Sequence, residues 1–452
     1  MSRYNDLMIK RVTWYDRTGF EPVEIHDWLF EHQKKLVDYA LRKGRAALFA
    51  DTGLGKTAME LSWSDNVARH TNGQVLLVTP LAVARQIEDE AVRFGIDAAI
   101  SRTGKPSKSD ITITNFENLH KFDKQEFAGL CVDESSAIKN FDGKRREIVT
   151  EFCQGLQYRL LATATAAPND FHELGTSSEA LGYLGFRDMI TTFFRQETAK
   201  DGQGWGRTKY RFRGHAEKPF WQWVVSWARA VRKPSDIGCS DDGYVLPELK
   251  EIEHVVHNST PRDGWLFSVP AFGLQEEREE RRVTIRERCE LAADLVKGNN
   301  PAVIWCHLND EGDLLEDLVP DSVQVKGSME DDAKEDYLSG FAKGNYRVLI
   351  TKPKIGCWGL NWQHCNNVVT FAGHSFEQYY QAVRRCWRFG QKHPVTVHLV
   401  TTEGESGVIA NLKQKQMKAE QMFSALVECM NREIAVAAKH DFKHKEKVPS
   451  WL

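Results

Sequence analysis

The chain has 452 residues, nine cysteines and a formal net charge of −3. It has no apolar run of about 18 or more residues, the length needed to cross a bilayer, and residues 1–16 lack the apolar centre of a signal peptide. No two cysteines form a Cys-x-x-Cys pair, a pattern typical of reduced thiols rather than of a disulfide framework or a zinc site. These features argue against a membrane protein and predict two or three domains.

A glycine-punctuated turn, residues 50–57, follows a short apolar run. Glycines can adopt backbone angles closed to other residues, so successive N–H groups could turn inward around phosphates at the start of a helix. Lys56 would reach the β/γ-phosphates of a nucleotide, and Thr57 would offer its hydroxyl to Mg²⁺. The strict pattern begins with Gly where this chain has Ala50, so the match is the relaxed form. The expected phosphate-binding residues are Thr52, Gly53, Leu54, Gly55 and Lys56.

A second nucleotide motif follows the apolar stretch 127–132, which ends in Asp133-Glu134. A parallel strand presents its C-terminal end to the ligand crevice. Asp133 is therefore placed to hold Mg²⁺, and Glu134 to orient or deprotonate the attacking water. An acidic pair after a strand can also simply cap the next helix. Its combination with Lys56 and Thr57 favours the catalytic interpretation.

A third pattern lies near the C-terminus, in the helix-like run 378–391. Arg385 and Arg388 are three residues apart, a spacing that places two side chains on one helical face. Two guanidiniums on one face suit a γ-phosphate approached from a separate domain, as arginine fingers do. Considered alone, arginines on a surface helix are usually just solvated.

Taken in order, these motifs resemble the superfamily 2 helicase-like ATPases and, within them, the Swi/Snf type of double-stranded DNA translocase. The resemblance extends from about residue 33 to about residue 402 and includes the terminal Arg-x-Gly-Gln of the last motif. The matching segments are 51–57 (motif I), 77–80 (motif Ia), 132–140 (motif II), 159–165 (motif III), 359–361 (the end of motif V) and 381–391 (motif VI).

The resemblance also implies roles for single residues. Gln33 would read the adenine edge, because an amide carries both a donor and an acceptor, although a surface Gln on an amphipathic helix is an equally ordinary interpretation. Gly359 and Gln381 would contribute to nucleotide binding. Thr79 and Asn361 would contact nucleic acid. The expected cofactors are therefore ATP and Mg²⁺.

The motif II segment departs from the family at one point. Ser135-Ser136 stands where the family usually has Ala-His. The histidine that couples motif II to motif III in these proteins is therefore absent.

The net charge does not indicate a strongly basic nucleic-acid binder, but a local patch does exist. Residues 195–233 hold ten Lys or Arg and three Asp or Glu, a local net charge of +7. We expect the basic side chains to contact phosphates. The interleaved tryptophans could stack on bases or pack a protrusion onto the motor, and we favour packing. The predicted phosphate contacts are Arg207, Lys209, Arg211 and Arg213, and the tryptophans are Trp205, Trp221, Trp223 and Trp227.

Strand-like runs alternate with helical stretches from residue 75 to 162 and again from 303 to 400. This rhythm is typical of parallel α/β domains, and it is lost between them. We predict an α/β fold with two RecA-like parallel-sheet domains and a helical insert between them. The predicted divisions are 1–175 (first domain, motifs I to III), 176–285 (helical, basic, Trp-rich insert), 286–430 (second domain, motifs IV to VI) and 431–452 (basic tail).

The sequence thus predicts a nucleic-acid-dependent ATPase that moves on or remodels DNA, duplex or forked, rather than RNA. The catalytic residues would be Lys56, Glu134, Arg385 and Arg388. One alternative is a helicase that separates DNA or RNA strands, and another is a nucleotide-switched protein-interaction module. The expected location is the cytoplasm of a bacterium or of a bacteriophage-infected host.

Overall fold

The structure, a computed structural model, describes residues 18–198, 208–257, 274–356 and 361–443. The chain forms two compact units. Unit 1 holds the described residues up to Asp241 and from Ala419 onward, and unit 2 holds Asp242–Lys418. No helix within these described ranges is both long and apolar enough to cross a membrane.

Unit 1 is built on a seven-stranded sheet and a separate two-stranded ribbon. Its strands are β1 (Arg45–Ala50), β2 (Val75–Thr79), β3 (Ala98–Ile100), β4 (Ile111–Asn115), β5 (Gly129–Val132), β6 (Tyr158–Ala162), β7 (Phe194–Thr198), β8 (Thr208–Phe212) and β9 (Ala228–Val231). The order of strands in the sheet is β3-β4-β2-β5-β6-β1-β9, and every pair of adjacent strands is parallel. Its central strands are buried along their whole length and mostly apolar, as expected where helices cover both faces.

The helices of unit 1 pack against this sheet and around an aromatic cluster. They are α1 (Glu31–Lys43), α2 (Lys56–Thr71), α3 (Ala84–Phe94), α4 (Lys144–Cys153), α5 (Leu174–Leu181), α6 (Phe186–Phe193) and α7 (Glu217–Val225). Trp223 and Trp227 have no exposed surface, and their rings lie 5.5 Å apart. Trp221 is buried beside them. The prediction that these tryptophans pack rather than stack on bases is confirmed, while Trp205 lies outside the described residues.

Unit 2 contains a six-stranded parallel sheet. Its strands are β10 (Leu249–Val256), β11 (Ala302–Trp305), β12 (Ser322–Val325), β13 (Val348–Thr351), β14 (Asn367–Phe371) and β15 (Val395–Thr402). Their order across the sheet is β10-β15-β14-β11-β13-β12. Its helices are α8 (Leu274–Val283), α9 (Ile285–Leu295), α10 (Asn309–Leu318), α11 (Asp331–Ala342), the single turn α12 (Pro353–Gly356) and α13 (Phe376–Cys386). The last helix, α14 (Ser406–Lys443), begins in unit 2, and from Ala419 it belongs to unit 1.

The expected pair of parallel-sheet α/β domains is confirmed. The segment predicted as a helical insert, 176–285, differs in detail because its residues are shared between the two units. β9 joins the first sheet beside β1, and β10 joins the second beside β15. The antiparallel ribbon β7–β8 also lies in this segment. These strands lie among Gly-rich and aromatic stretches, so hydrophobic periodicity did not predict them.

A buried ion pair links two helices of unit 2. The Arg288 guanidinium donates to Glu311 at 2.7 Å, and neither side chain is more than 1% exposed. Glu311 also accepts hydrogen bonds from the backbone N–H groups of His307 and Leu308. Burial alone would raise the pKa of Glu311, but Arg288 and these two N–H groups outweigh it and leave that pKa below its usual range. The carboxylate therefore stays charged and fixes α10 to α9.

We expect Glu311→Ala to lower the free energy of unfolding by about 3–5 kcal/mol, because it leaves Arg288 buried without its partner. Urea denaturation followed by circular dichroism measures this change. The double variant Arg288→Met/Glu311→Leu should recover much of the loss, since apolar side chains of similar volume need no partner. A loss below about 1 kcal/mol for Glu311→Ala would show that the pair behaves like an exposed one.

Candidate functional site

The phosphate loop connects β1 to α2. Gly53 and Gly55 both have positive φ values, 88° and 75°, as the sequence predicts. Gly55 precedes the first helical residue, Lys56. The Lys56 ammonium reaches back across the loop and donates to the Ala50 carbonyl at 3.1 Å. This backbone path directs N–H groups and one positive charge toward one small volume, which suits bound phosphates.

Gln33 supports the same loop from α1. Its side-chain Nε2 donates to the Leu54 carbonyl at 3.0 Å, and its Oε1 accepts from the backbone N–H of Phe30 at 2.9 Å. A Cβ atom on Gly55 would lie 2.2 Å from that Nε2 and would displace the Gln33 amide, and the φ of 75° at Gly55 also favours glycine. An amide offers two N–H donors and two lone pairs. Gln33 can therefore hold the loop and still take part in recognising an adenine edge.

Glu134 directly follows Asp133 at the end of β5 and has a left-handed backbone, with φ 50°. Such a conformation costs a non-glycine residue about 1–3 kcal/mol and persists where its surroundings enforce it. Its Oε1 accepts hydrogen bonds from Ser136 Oγ at 2.9 Å and from Thr163 Oγ1 at 2.8 Å. Thr163 belongs to the segment that resembles motif III. The two motifs are therefore joined through hydroxyl groups, although the family's histidine is absent.

We expect Thr163→Val and Ser136→Ala each to lower kcat, because both hydroxyls orient the Glu134 carboxylate. Partners that orient a functional group of this kind typically contribute about 10- to 100-fold. Nucleotide affinity should change little, since neither hydroxyl belongs to the phosphate loop. The matched control is Thr150→Val, the same change at a buried threonine of α4. The measurement is steady-state ATP hydrolysis. A kcat for Thr163→Val equal to that of Thr150→Val would contradict the orienting role.

Asp133 is buried beside Glu134. Burial, followed by the neighbouring Glu134 carboxylate, raises the pKa of Asp133 to about 6, while a hydrogen bond from Thr79 and the charge of Lys56 act in the opposite direction. The Thr79 hydroxyl donates to Asp133 Oδ2 at 2.8 Å. Thr79 has no exposed surface, so its predicted contact with nucleic acid does not fit the structure. We therefore assign Thr79 to the nucleotide site, where it orients Asp133.

Sequence reasoning missed a third carboxyl group, that of Glu60. It lies on α2 one turn after Lys56, and only 1% of its surface is exposed. Burial, followed by the charge of Asp133, raises its pKa well above the usual range, against the effect of Lys56. A glutamate within an otherwise apolar helical segment was the available signal. The hydroxyl of Thr57 and these buried carboxyl oxygens are the hard oxygen donors that Mg²⁺ prefers, so the residues present fit that ion.

In unit 2, the segment that resembles motif VI forms α13 and the turn after it. Arg385 is buried, and its Nη2 donates to Gln381 Oε1 at 3.3 Å. The expectation that Arg385 and Arg388 share one helical face is wrong, because the helix ends at Cys386. The side chain of Gln391 donates to the Cys386 carbonyl at 3.1 Å. This bond satisfies a terminal carbonyl of the helix and stabilises the turn that carries Arg388.

The segment that resembles motif V lies against this helix within unit 2. The backbone N–H of Trp362 donates to the Arg385 carbonyl at 2.9 Å. The preceding residue, Asn361, is thereby held close to α13. Gly359, predicted to bind nucleotide, lies outside the described residues.

Two of the predicted phosphate contacts, Lys209 and Arg211, lie on β8 of the ribbon, and Arg213 directly follows that strand. The Arg211 side chain is 64% exposed and pairs with Glu197 at 3.0 Å. Arg213 donates to the Phe194 carbonyl at 2.6 Å, so part of its role is to hold the ribbon. Arg207 lies outside the described residues.

The chain is similar to several known proteins. Residues 287–390 match the helicase conserved C-terminal domain. A putative ATP-dependent helicase/translocase of Bacillus subtilis (strain 168), YwqA, is 23% identical over 437 residues, which are 84% of this chain and 46% of that protein. The chain thus spans about half the length of this curated relative. The solved SWI2/SNF2 ATPase core of Sulfolobus solfataricus in complex with dsDNA aligns with 89% of this chain and 98% of its own, at 16% identity and a TM-score of 0.42.

A phosphate loop, a strand ending in Asp-Glu and two parallel sheets are typical of nucleotide-binding α/β proteins. The match of residues 287–390 to the helicase conserved C-terminal domain and the similarity to a putative helicase/translocase confirm the predicted resemblance to helicase-like proteins.

Proposed function

We propose that this protein is an ATP-dependent DNA translocase, a motor that couples ATP hydrolysis to movement on DNA or to its remodelling. The observation that carries the proposal is the assembly of Lys56, Asp133 and Glu134 in unit 1, with Glu134 held by the motif III hydroxyl of Thr163. A site used only for nucleotide binding would not need a strained carboxylate linked to a second motif.

In this proposal, Lys56 neutralises charge on the β/γ-phosphates, and the N–H groups of the loop orient them. Glu134 accepts a hydrogen bond from the attacking water and takes its proton as the water oxygen bonds to the γ-phosphorus. The bond from that phosphorus to the β–γ bridging oxygen breaks in the same reaction, and ADP leaves. The bonds from Ser136 and Thr163 keep the Glu134 carboxylate in place during this step. Thr57 and Asp133 would hold Mg²⁺, which supplies further positive charge to the phosphate oxygens.

Arg385 and Arg388 are proposed to stabilise the negative charge that develops on the transferred phosphoryl group. Gln381 accepts from Arg385, so its proposed role at the nucleotide is to orient that guanidinium. Asn361, held close to Arg385 through Trp362, is proposed to contact the nucleic acid.

The proposed track is DNA, with the ribbon β7–β8 as one contact surface. Exposed basic side chains on a two-stranded ribbon can neutralise backbone phosphates without reading sequence. The motif resemblance favours duplex DNA and translocation without strand separation. The second candidate, a strand-separating helicase, uses the same ATP site and is distinguished only by its product.

We also propose a cytoplasmic location. None of the cysteines in the described part of the chain forms a disulfide, as is usual in a reducing compartment. A bacterial or bacteriophage origin stays a prediction.

ATP hydrolysis measured without nucleic acid and with single-stranded DNA, duplex DNA, forked DNA or RNA tests the proposal. We expect the largest stimulation with duplex or forked DNA. Equal rates in all five conditions would instead favour the nucleotide-switched interaction module.

The ribbon can be tested separately with the double variant Lys209→Ala/Arg211→Ala, which leaves Arg213 to hold the strands. Each lost phosphate contact should reduce the slope of log affinity against log salt concentration by about 0.7 to 0.9. The loss should be similar for every DNA sequence, and ATP hydrolysis without DNA should be unchanged. A folded variant with the wild-type slope would place the track on other surfaces, such as the one around Asn361.

A further inference from the structure

Arg388 lies in a turn beyond the end of its helix. α13 ends at Cys386, and the backbone N–H of Trp387 makes the last helical bond, to the Val383 carbonyl at 2.9 Å. In the turn that follows, the backbone N–H of Gln391 donates to the Arg388 carbonyl at 3.0 Å. Because the regular bonds of a helix stop before Arg388, the backbone path there depends on what holds its two neighbours.

The residue before Arg388 is anchored to a segment that belongs to none of the sequence motifs. This connecting segment, residues 242–247, begins unit 2 and leads into β10. The indole Nε1 of Trp387 donates to the backbone carbonyl of Pro247 at 2.7 Å. An indole has a single N–H donor, so this bond fixes the direction in which the ring points.

The residue after Arg388 is anchored to the same segment by ring packing. The ring centres of Phe389 and Tyr244 lie 4.8 Å apart, a distance typical of aromatic pairs. The backbone carbonyl of Phe389 also accepts from the side chain of Gln363 at 3.2 Å. Both neighbours of Arg388 are therefore held by the connecting segment, one through a hydrogen bond and the other through an aromatic pair.

We propose that Tyr244 is a positioning residue that acts through the turn carrying Arg388. The inference rests on the proposed function, in which Arg388 acts on the transferred phosphoryl group. By holding the residues on either side of Arg388, the connecting segment limits the directions that the guanidinium can take. Misplacing such a group by about 1 Å can cost about 10²-fold in rate.

Ring packing also stabilises a fold, so the variants must separate positioning from stability. Tyr244→Ala removes the ring, whereas Tyr244→Phe keeps it against Phe389. The matched control is Tyr337→Ala, since Tyr337 is another half-buried tyrosine of unit 2 and its ring packs on that of Tyr346 at 5.8 Å. The measurements are steady-state ATP hydrolysis with duplex DNA, binding of fluorescently labelled ADP and thermal melting.

For Tyr244→Ala we expect kcat to fall about 10- to 100-fold. The affinity for labelled ADP should stay near the wild-type value, because a misplaced arginine finger acts chiefly on the transition state. Tyr244→Phe and Tyr337→Ala should keep the wild-type kcat. If Tyr244→Ala does not fold, Trp387→Phe replaces it, because phenylalanine keeps a ring and removes the Nε1 donor.

The double variant Tyr244→Ala/Arg388→Ala tests whether the effect passes through Arg388. Its kcat should match that of Arg388→Ala within about twofold, because Tyr244 has nothing to position once the guanidinium is gone. Two independent effects would instead multiply. The same comparison applies to Trp387→Phe where that variant is used.

Three results would overturn the inference alone, given that Arg388→Ala lowers kcat. They are a folded Tyr244→Ala protein with the wild-type kcat, a Tyr244→Phe protein as slow as Tyr244→Ala, and losses that multiply in the double variant. If Arg388→Ala itself keeps the wild-type kcat, the proposed role of Arg388 fails and this inference fails with it.

Discussion

Lys56→Ala is expected to abolish ATP hydrolysis. The substitution removes the one positively charged side chain of residues 50–57, which would face the β/γ-phosphates, and it leaves the turn formed by Gly53 and Gly55 in place. Loss of a positioned group of this sort commonly costs about 10²-fold or more in rate. Nucleotide affinity should fall as well, because Lys56 acts on the bound nucleotide in the ground state and in the transition state.

Glu134→Gln provides the companion measurement at the same site. Glutamine keeps the shape of the side chain and can still accept from Ser136 and Thr163, but it cannot take a proton from water. We expect ATP binding to survive while turnover falls by about 10²-fold or more. The control is Lys124→Ala, which removes a half-buried lysine that donates to the carbonyls of Glu151 and Gln154. Turnover at the wild-type rate by Glu134→Gln would remove Glu134 from the mechanism.

The second large effect is expected from Arg385→Ala and Arg388→Ala, on the rate of ATP hydrolysis. If these arginines act on the transferred phosphoryl group, each substitution should lower kcat, with a smaller change in nucleotide affinity. Arginine fingers contribute about 10³- to 10⁵-fold in other nucleotide hydrolases. Both residues lie more than 300 positions from Lys56 along the chain. The effect would therefore tie the two units to one reaction.

Arg384→Ala is the matched control for this series. Its guanidinium lies over the rings of Trp387 and Tyr380, so its main contact is with α13 and the turn after it. We expect Arg384→Ala to affect stability more than kcat. If all three arginine variants lose the same modest amount of activity, the result would indicate damage to the helix and not a catalytic role.

Much of the fold follows from local sequence patterns. The apolar runs at residues 75–79 and 395–400 become β2 and β15, because β-branched residues bounded by turn signals favour buried parallel strands. The phosphate loop was also predictable from local sequence, because its backbone geometry requires glycines. The strands β9 and β10 were not, because short strands within aromatic and charged surroundings have no distinct periodicity.

The site was less predictable than the fold because its contacts join segments distant in sequence. Thr79 could be assigned to nucleic acid only by resemblance, and its bond to Asp133 required the register of β2 against β5. Glu60 belongs to none of the sequence motifs. Its burial could not be predicted, because glutamate is common in helices and burial is a tertiary property. The helix end at Cys386 depends on a side chain five residues further along, that of Gln391.

Displacement of a third strand from a DNA triplex is the most direct test of the central claim that ATP hydrolysis drives movement along duplex DNA. The wild-type protein, bound to the duplex beside the triplex, should release the third strand when ATP is added and should leave the duplex strands paired. Glu134→Gln should bind the same DNA and release nothing. Hydrolysis stimulated by DNA without any release of the third strand would contradict the account.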